Sequence, residues 1–261
     1  MRRYRFLRSR KRIEIDITWQ CNLTCFDCNR CCGEAPTTER MSVDQIARFI
    51  AESKRCGNPW RVIRVLGGEP TVHPDFTEIM HLLIDYKRSL HNTDEDFGLV
   101  VYTNGLTEKS LQLVDDLAAE VEVINTMKER GQVRHIGHFM ASPVDLRDPV
   151  DDDFTMACTQ ATACGIGLTP YGYYQCPIAG SIDRIFGRNL GRQSLPDKSD
   201  DMFDLMKEFC KHCGFFDMDD ESVFVSHENT TLLTERPIVT ESWERALGAI
   251  KNSGKNILTR Y

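Results

Sequence analysis

Residues 12–28 of the chain read RIEIDITWQCNLTCFDC, and this stretch decides the class of fold. Apolar and polar residues alternate over residues 12–18, which predicts a β-strand. Cys21, Cys25 and Cys28 follow at C-x3-C-x2-C spacing, directly after that strand. Thiolates are the preferred protein ligands of iron–sulfur clusters, and three of them hold three irons of a cubane. The fourth iron stays open to a small molecule, so the stretch predicts a reactive cluster at a strand end.

Strands and helices alternate on both sides of a second motif, Gly67-Gly68-Glu69-Pro70, which ends a predicted strand over 62–66. A helix opens at Ser42, with Gln45 as its capping-box partner. Such alternation indicates a parallel sheet with right-handed crossovers, in which ligands bind at the carboxyl ends of strands. Both motifs follow strands and are expected on one rim. The remaining predicted elements are helices over 75–90 and 107–119 and strands over 97–102, 121–125 and within 133–140.

Composition excludes several classes of protein. The formal net charge of −7 argues against nonspecific nucleic-acid binding, and no apolar run reaches about 18 residues, so we expect no membrane span. Eleven cysteines in a chain without an apolar secretory leader favour metal or redox chemistry over disulfides. We therefore expect a cytoplasmic protein.

The N-terminal segment is strongly basic, with seven Arg and Lys residues among positions 2–12. It is either a patch for an anionic partner or a solvated, partly frayed terminus that leads into the first strand. We expect the frayed terminus.

From the residues alone, the first cysteine group has two other interpretations. One is a zinc site completed by the later pair Cys210 and Cys213. The other is a ferredoxin register, which fails because Ala35 stands where that pattern needs a cysteine before proline.

The two motifs together resemble those of the radical S-adenosylmethionine (radical SAM) superfamily. The resemblance implies that Cys21, Cys25 and Cys28 bind a 4Fe–4S cluster whose open iron chelates S-adenosylmethionine. Gly67, Gly68, Glu69 and Pro70 match the family's GGEP motif, which contacts the methionine amino group. The family usually places an aromatic residue directly before the third cysteine, whereas this chain has Asp27.

Two asparagines end predicted strands, Asn104 the third and Asn125 the fourth. By resemblance, polar residues at the fourth strand's end contact the methionine carboxylate or the ribose, so Asn125 is the stronger candidate for cofactor binding. Ordinary strand-end asparagines are the alternative for both. The extra cysteines Cys31 and Cys32 are expected to be inert.

A second cysteine group follows in residues 158–213. Residues 164–177 predict a β-hairpin that carries Cys164 and Cys176, and Cys210-x2-Cys213 comes later. This arrangement resembles the SPASM/twitch extension of radical SAM enzymes, which implies an auxiliary 4Fe–4S cluster on Cys176, Cys210 and Cys213. The fourth ligand is Cys158 or Cys164, and family spacing favours Cys158.

The resulting fold prediction is α/β: a partial (β/α)6 TIM-like barrel, the radical SAM core, with a small C-terminal twitch-like cluster-binding module. The predicted domains are the core over 1–150, the auxiliary-cluster module over 151–220 and a C-terminal tail or helix over 221–261. A barrel strand missing from this count is expected to be short or to lie within 141–157.

The predicted function follows from the resemblance. S-adenosylmethionine is cleaved reductively to a 5′-deoxyadenosyl radical, which abstracts hydrogen from a substrate. We expect oxidation of a small molecule, such as a sugar or aminocyclitol, aided by the auxiliary cluster. A peptide-modifying maturase and a non-enzymatic iron–sulfur or zinc protein are the alternatives. The expected partners are a small-molecule or peptide substrate and an electron donor such as flavodoxin or ferredoxin, with no membrane or nucleic acid.

Overall fold

A six-stranded sheet organises the chain in the computed structural model, which describes residues 5–25, 27–35, 37–90, 97–127, 139–146, 153–216 and 238–261. The strand order is β4-β3-β2-β1-β5-β6, and every neighbouring pair is parallel except β5 and β6. The strands are β1 Arg12–Thr18, β2 Val62–Gly67, β3 Gly98–Thr103, β4 Glu122–Asn125, β5 Ile166–Thr169 and β6 Gly172–Tyr174.

Eight α-helices accompany the sheet among the described residues. The capping box that sequence predicted at Ser42 and Gln45 is present at the start of α1, and α1 ends at Gly57 with φ +53°. The helices are α1 Val43–Cys56, α2 Phe76–Ser89, α3 Glu108–Asp115, α4 Pro143–Leu146, α5 Thr159–Ala163, α6 Ala179–Phe186, α7 Phe203–Phe209 and α8 Glu241–Ser253. The α/β prediction is confirmed, and the first four strands lie within a residue of their predicted bounds.

Strand β1 is central and buried on both faces. Ile13, Ile15 and Ile17 are fully buried in the main hydrophobic core. Because side chains alternate along a strand, Glu14 and Asp16 lie on the opposite face, where they are also buried. The polar half of the predicted pattern is therefore not solvated but forms a charged cluster inside the fold.

The predicted hairpin exists, but it extends the main sheet. Its first strand, β5, pairs in parallel with β1, and β6 returns antiparallel to β5. Gly165 makes this approach possible, because at φ +80° a Cβ there would overlap the carbonyl oxygen of Arg12. Hydrophobicity patterns reveal the hairpin but not its neighbour, so sequence placed it in a separate module.

The remaining predicted strands are not found among the described residues. Positions 133–138 of the expected fifth strand lie outside them, and residues 139–140 form a turn. The described parts of 141–157 hold α4 and a 3-10 turn over Phe154–Met156 rather than a strand. The domain boundaries stay a prediction.

The basic N-terminal segment is held in place from residue 5 onward, so the expectation of a frayed terminus is wrong for these residues. Arg5 pairs with Asp153, and Arg8 and Arg10 donate to backbone carbonyls in the loop over 197–201. A guanidinium finds carbonyl acceptors wherever a loop exposes them, which the sequence of the segment does not show.

Helix α8 packs beside α6. The indole of Trp243 is fully buried and donates to the carbonyl of His212 at 2.8 Å. No described helix is long and apolar enough to cross a membrane.

Candidate functional site

The first cysteine group opens onto a cavity of about 210 Å³ at the carboxyl ends of β1, β2 and β3. Cys21, Cys25 and Cys28 share its wall with Cys32. The cavity therefore lies where the position of the motifs after strands predicted it. Its other lining residues are Leu23, Asn29, Arg30, Leu66, Gly67, Gly68, Tyr102, Thr103, Asn104 and Thr126.

The thiols in this cavity favour the neutral form when no cation is near. Burial, together with the neighbouring Cys28, Glu69 and Cys25, raises the pKa of Cys21 to about 11. The backbone N–H of Leu23 opposes this by donating to the Cys21 sulfur at 3.4 Å. Iron reverses the balance, because a coordinating thiol is deprotonated by the ion it binds. Ionising several neighbouring thiols is therefore unfavourable without a cation and becomes favourable when they bind iron.

Gly67 and Gly68 bring the loop after β2 against the cysteine loop. A Cβ at Gly67, which has φ +132°, would overlap the carbonyl oxygen of Thr18, and one at Gly68 would overlap that of Gln20. The N–H of Gly68 donates to Thr18 at 2.7 Å, and that of Glu69 donates to Gln20 at 2.9 Å. The two glycines are therefore required by backbone packing as well as by any ligand in the cavity.

The Glu69 carboxylate braces the site internally. It is fully buried and accepts from the backbone N–H of Asn104 at 2.7 Å and from the hydroxyls of Thr71 and Thr103 at 2.6 and 2.9 Å. Pro70 is buried and begins a 3-10 turn. This carboxylate is thus occupied in joining the ends of β2 and β3, and it does not line the cavity.

The two candidate asparagines differ in position. The side chain of Asn104 lines the cavity and donates to Asn22 at 2.7 Å. Asn125 is exposed, accepts from the N–H of Met127 at 2.8 Å and is absent from the cavity wall. Thr126, one residue later, lines the cavity instead. Its hydroxyl donates to the Thr103 carbonyl at 3.0 Å. Sequence reasoning missed Thr126 because the exact end of a short strand decides which residue reaches the cavity wall.

Asp27, which replaces the expected aromatic residue, ties the cysteine loop to a distant segment. Its φ is +54°, a conformation that Asp tolerates better than most residues, and its side chain is 1% exposed. The carboxylate accepts from the backbone N–H groups of Phe139 and Met140 at 2.8 and 3.2 Å. Gly214 donates to the Phe139 carbonyl, so Asp27 links the loop to the segment that follows Cys213.

A charged cluster lies beneath the cavity. Arg30 donates to Glu14 at 2.8 Å and to Asp16 at 3.3 Å, and Arg64 donates to Glu14 at 3.1 Å. Burial raises the pKa of Asp16 to about 6 despite Arg30. Cys164 belongs to this cluster, because burial and then Glu14 raise its pKa, with Arg30 and Arg64 opposing. The cluster is internally neutralised, with two carboxylates facing two guanidiniums.

Helix α6 supports the cysteine loop through a buried arginine. Arg184 is 1% exposed and donates to the carbonyls of Arg30 at 2.9 Å, Cys31 at 2.6 Å and Thr37 at 3.3 Å. Its guanidinium also lies 4.3 Å from the ring centre of Trp19, the residue that follows β1. No motif in the sequence marks this clamp.

The second cysteine group surrounds a separate cavity. The four thiols come from three parts of the chain, because Cys210 and Cys213 flank one 3-10 turn, and they lie among aromatic and aliphatic side chains of α6, α7 and the turns beside them. Burial, and then the three neighbouring thiols, raise the pKa of Cys213. The cysteines of this cavity are Cys158, Cys176, Cys210 and Cys213.

Cys164, the other candidate for the fourth ligand, does not line that cavity. Its thiol donates to Gln160 at 3.3 Å and lies beside Glu14. The structure therefore groups Cys158 with the other three, as family spacing favoured. The roles of all these cysteines as ligands stay predictions.

The two extra cysteines, Cys31 and Cys32, differ in their position relative to the first cavity. Cys31 is fully buried in the main core, which agrees with an inert role. Cys32 lines the first cavity, and its hydrogen bond with Cys28, followed by burial, raises its pKa.

Within the described residues, no three His, Cys, Asp or Glu side chains are arranged to hold a single metal ion. The corner irons of a cubane are spread over a larger volume than one ion, so its ligands are held further apart. The cysteines line two separate cavities, three of the motif together with Cys32 in one and four in the other, and thiolates are the ligand type that such clusters take.

Comparison with curated proteins finds relatives over part of the chain. A probable GTP 3′,8-cyclase of Pyrococcus horikoshii is 32% identical over 111 residues, 42% of this chain and 35% of that protein. A probable GTP 3′,8-cyclase of Pyrococcus abyssi is 31% identical over the same length and shares. The match thus spans about a third of these relatives.

Comparison with solved structures finds a similar fold over most of the chain. A crystal structure of BtrN in complex with AdoMet and 2-DOIA superposes with a TM-score of 0.52 at 17% identity. The superposition covers 84% of this chain and 98% of that one. At this identity the likeness concerns the fold, and it supports a partial barrel.

The sequence profile of the Radical SAM superfamily matches residues 15–154, more than half of the 261 residues. The matched part contains both motifs, the charged cluster's carboxylate Asp16 and the described wall of the first cavity. The expectations of an enzyme, of a 4Fe–4S cluster and of S-adenosylmethionine as cofactors are thereby confirmed. The chain belongs to the radical SAM superfamily.

Proposed function

We propose that this enzyme oxidises a small, polar substrate that carries no phosphate, such as a sugar or an aminocyclitol, with an auxiliary 4Fe–4S cluster as electron acceptor. The observation that carries the proposal is the cavity lined by four cysteines, whose thiolates would ligate all four irons of a cluster. A cluster without an open iron cannot bind S-adenosylmethionine but can exchange electrons.

In the first cavity, Cys21, Cys25 and Cys28 would hold the radical SAM cluster. When bound, this cluster and S-adenosylmethionine would supply the 5′-deoxyadenosyl radical that takes a hydrogen atom from the substrate. The chain's own task is to place both molecules and to exclude water from them. The cavity lies at the strand ends and is lined by the cysteine loop and by the loops after β2 and β3, which supports that task.

The cofactor's polar groups have candidate partners on the cavity wall. Backbone atoms of Gly67 and Gly68 line it, and the Asn104 amide and the Thr126 hydroxyl are the side-chain candidates. Glu69 would act indirectly, because its carboxylate fixes the backbone of Asn104 and so orients that wall. Asn125 is the weaker candidate because it is not among the residues that line the cavity and its side-chain oxygen accepts from the N–H of Met127.

The charge of the cavity bears on the substrate. Among its described lining residues, Arg30 is the charged one, and it is already paired with Glu14 and Asp16. A phosphate group would have to break this buried pairing, which is strongly unfavourable. Hydroxyl and amine groups find acceptors and donors there without doing so. The proposed substrate class therefore differs from GTP, the substrate in the names of the curated relatives.

The test is an anaerobic assay on the reconstituted protein. Iron is counted per chain, and 5′-deoxyadenosine is quantified with dithionite, S-adenosylmethionine and panels of aminocyclitols, sugars, GTP and peptides. The proposal expects about eight irons, two cubanes' worth, and 5′-deoxyadenosine stimulated by a sugar or aminocyclitol. About four irons would remove the auxiliary cluster and the case for oxidation. Stimulation by GTP or a peptide alone would overturn the substrate class.

Localisation in a reducing compartment, the cytoplasm, belongs to the same proposal, because exposed thiolates and clusters are maintained there. An electron donor such as flavodoxin or ferredoxin would replace dithionite in the cell.

A further inference from the structure

Gln175 is a buried amide without a hydrogen-bond partner in the part of the chain that the structure describes. It lies between β6 and Cys176 and is 2% exposed, and both its side-chain nitrogen and its oxygen are left unpaired there. Gln175 is one of the residues that line the four-cysteine cavity. A buried polar group that stays unpaired costs free energy, so such a group in a folded protein calls for an explanation.

The cavity offers the amide little besides sulfur. The other lining side chains are apolar, apart from Gln160 and the cysteines. The Gln160 oxygen already accepts from the Cys164 thiol, outside this cavity. Among the side chains that line the cavity with Gln175, the sulfur atoms of the thiolates, and the sulfides of a cluster held by them, are therefore the acceptors that remain.

N–H groups already point at these sulfurs from the backbone. The thiol of Cys176 receives hydrogen bonds from the backbone N–H groups of Ala179 and Ile178, and that of Cys213 from Phe215. The unpaired amide of Gln175, a residue of the same cavity wall and the neighbour of Cys176 in the chain, would extend this pattern. Hydrogen bonds to the sulfurs are among the factors that set the potential of an iron–sulfur cluster.

We propose that Gln175 donates its amide N–H to a sulfur of the auxiliary cluster and thereby raises that cluster's reduction potential. The reduced cluster carries one more negative charge than the oxidised one, so a donor beside the sulfur stabilises the reduced form more. Gln175 is then a positioning residue that favours electron flow from the substrate radical into the cluster. The inference rests on the auxiliary cluster of the proposed function.

The experiment uses the full chain with Cys21, Cys25 and Cys28 each replaced by Ala, so that one cluster remains. Gln175→Met removes the donor with little change in volume, and Gln175→Glu removes it and adds charge. Potentials are measured by titration followed by electron paramagnetic resonance. Gln175→Met is expected to lower the equilibrium constant for one-electron reduction three- to tenfold, tenfold being 59 mV. Gln175→Glu is expected to lower it at least as much.

Gln112→Met is the matched control, because this exposed glutamine on α3 donates to Asp116 on the surface. It is expected to leave the potential unchanged. A second measurement needs no substitution of Gln175. The parental chain, which carries only the three cysteine replacements, is labelled with ¹⁵N in its glutamine side-chain amides, and pulsed electron paramagnetic resonance should detect ¹⁵N coupled to the cluster.

The outcomes separate the two proposals. If the parental chain holds about four irons but Gln175→Met leaves the potential unchanged, or no ¹⁵N coupling is seen, the role of Gln175 is overturned and the auxiliary cluster stands. If the parental chain holds no iron, the auxiliary cluster is overturned, and the role of Gln175 with it.

Discussion

The two cysteine-lined cavities are built in opposite ways. Cys21, Cys25 and Cys28 come from one eight-residue loop, and their cavity reaches polar groups such as Asn104 and Thr126. The second cavity gathers Cys158, Cys176 and the Cys210–Cys213 turn from three distant segments, and its other lining residues are mostly apolar. A contiguous loop leaves one side of a cluster free for a ligand, whereas ligands from all sides enclose it. The difference teaches that one short loop can supply an incomplete ligand set, whereas a complete set of four thiols needs segments that only the tertiary fold brings together.

Removal of the cluster in the first cavity should have the largest effect, because it leaves the second cavity alone to bind iron. With Cys21, Cys25 and Cys28 all replaced by Ala, 5′-deoxyadenosine formation is expected to fall to background, because no open iron remains. Iron should fall from about eight to about four per chain. Iron analysis and product quantification check this. Loss of all the iron would mean that the second cavity cannot hold a cluster by itself.

The fourth ligand of the second cavity distinguishes two similar cysteines. Cys158→Ala is expected to lose the auxiliary cluster or to convert it to a three-iron form, because one corner lacks its thiolate. Cys164→Ala, the matched control, should keep the iron content and the resonance spectrum, since that thiol bonds Gln160 instead. The reverse result would assign the ligand to Cys164 and contradict the grouping seen here.

The next largest effect is expected at Arg184, the buried arginine of α6 that donates to carbonyls of the first cysteine loop. Arg184→Met leaves the carbonyls of the cysteine loop without their donor and is expected to lower the free energy of unfolding by about 3 kcal/mol. Denaturant unfolding of the reconstituted protein measures it. Arg188→Met is the control, because that half-exposed arginine pairs with Glu208 and should cost less than about 1 kcal/mol. Equal costs would show that the clamp contributes nothing specific.

Close backbone packing at the first region predicts a smaller loss. Gly68→Ala places a Cβ against the carbonyl of Gln20 and is expected to cost about 2 kcal/mol and to weaken S-adenosylmethionine binding. Gly248→Ala on α8 has open space around it and is expected to stabilise by about 0.5 kcal/mol. Thermal unfolding and equilibrium binding test the pair, and two changes of the same sign would contradict the packing argument.

The smallest expected effect is a pH dependence of stability that arises from His73, in the turn after the Gly-Gly-Glu-Pro motif. Burial lowers the pKa of His73, whose ring bonds the Met41 carbonyl at 2.8 Å and the N–H of Asp75 at 3.0 Å. Since the unfolded state binds the proton more readily, stability present above about pH 6.5 is lost as pH falls below it. The melting temperature of His73→Gln should therefore fall less between about pH 7 and about pH 5.5 than that of the unsubstituted protein. Parallel falls would exclude His73 as the cause.

Much of the first region was predictable because its information is local. The strand over 12–18, the cysteine spacing and the Gly-Gly-Glu-Pro turn each depend on neighbours in sequence. Their meeting at one rim follows from parallel strand order. The cofactor role of Asn125 stays a prediction, and the structure places Thr126 rather than Asn125 in the cavity wall. The twitch-like module, the domain boundaries and the ligand roles stay predictions.

The sequence by itself determined the α/β class, the reactive three-cysteine loop and the existence of a second cysteine group, since periodicity and spacing carry that information. Tertiary structure alone decided that β5 joins β1, that Cys158 and not Cys164 lines the second cavity, and that the unpaired Gln175 belongs to the same cavity wall. It also decided that Arg184 holds a loop 153 residues away in the chain. Such contacts depend on which distant surfaces become neighbours, and packing of the whole core fixes that choice.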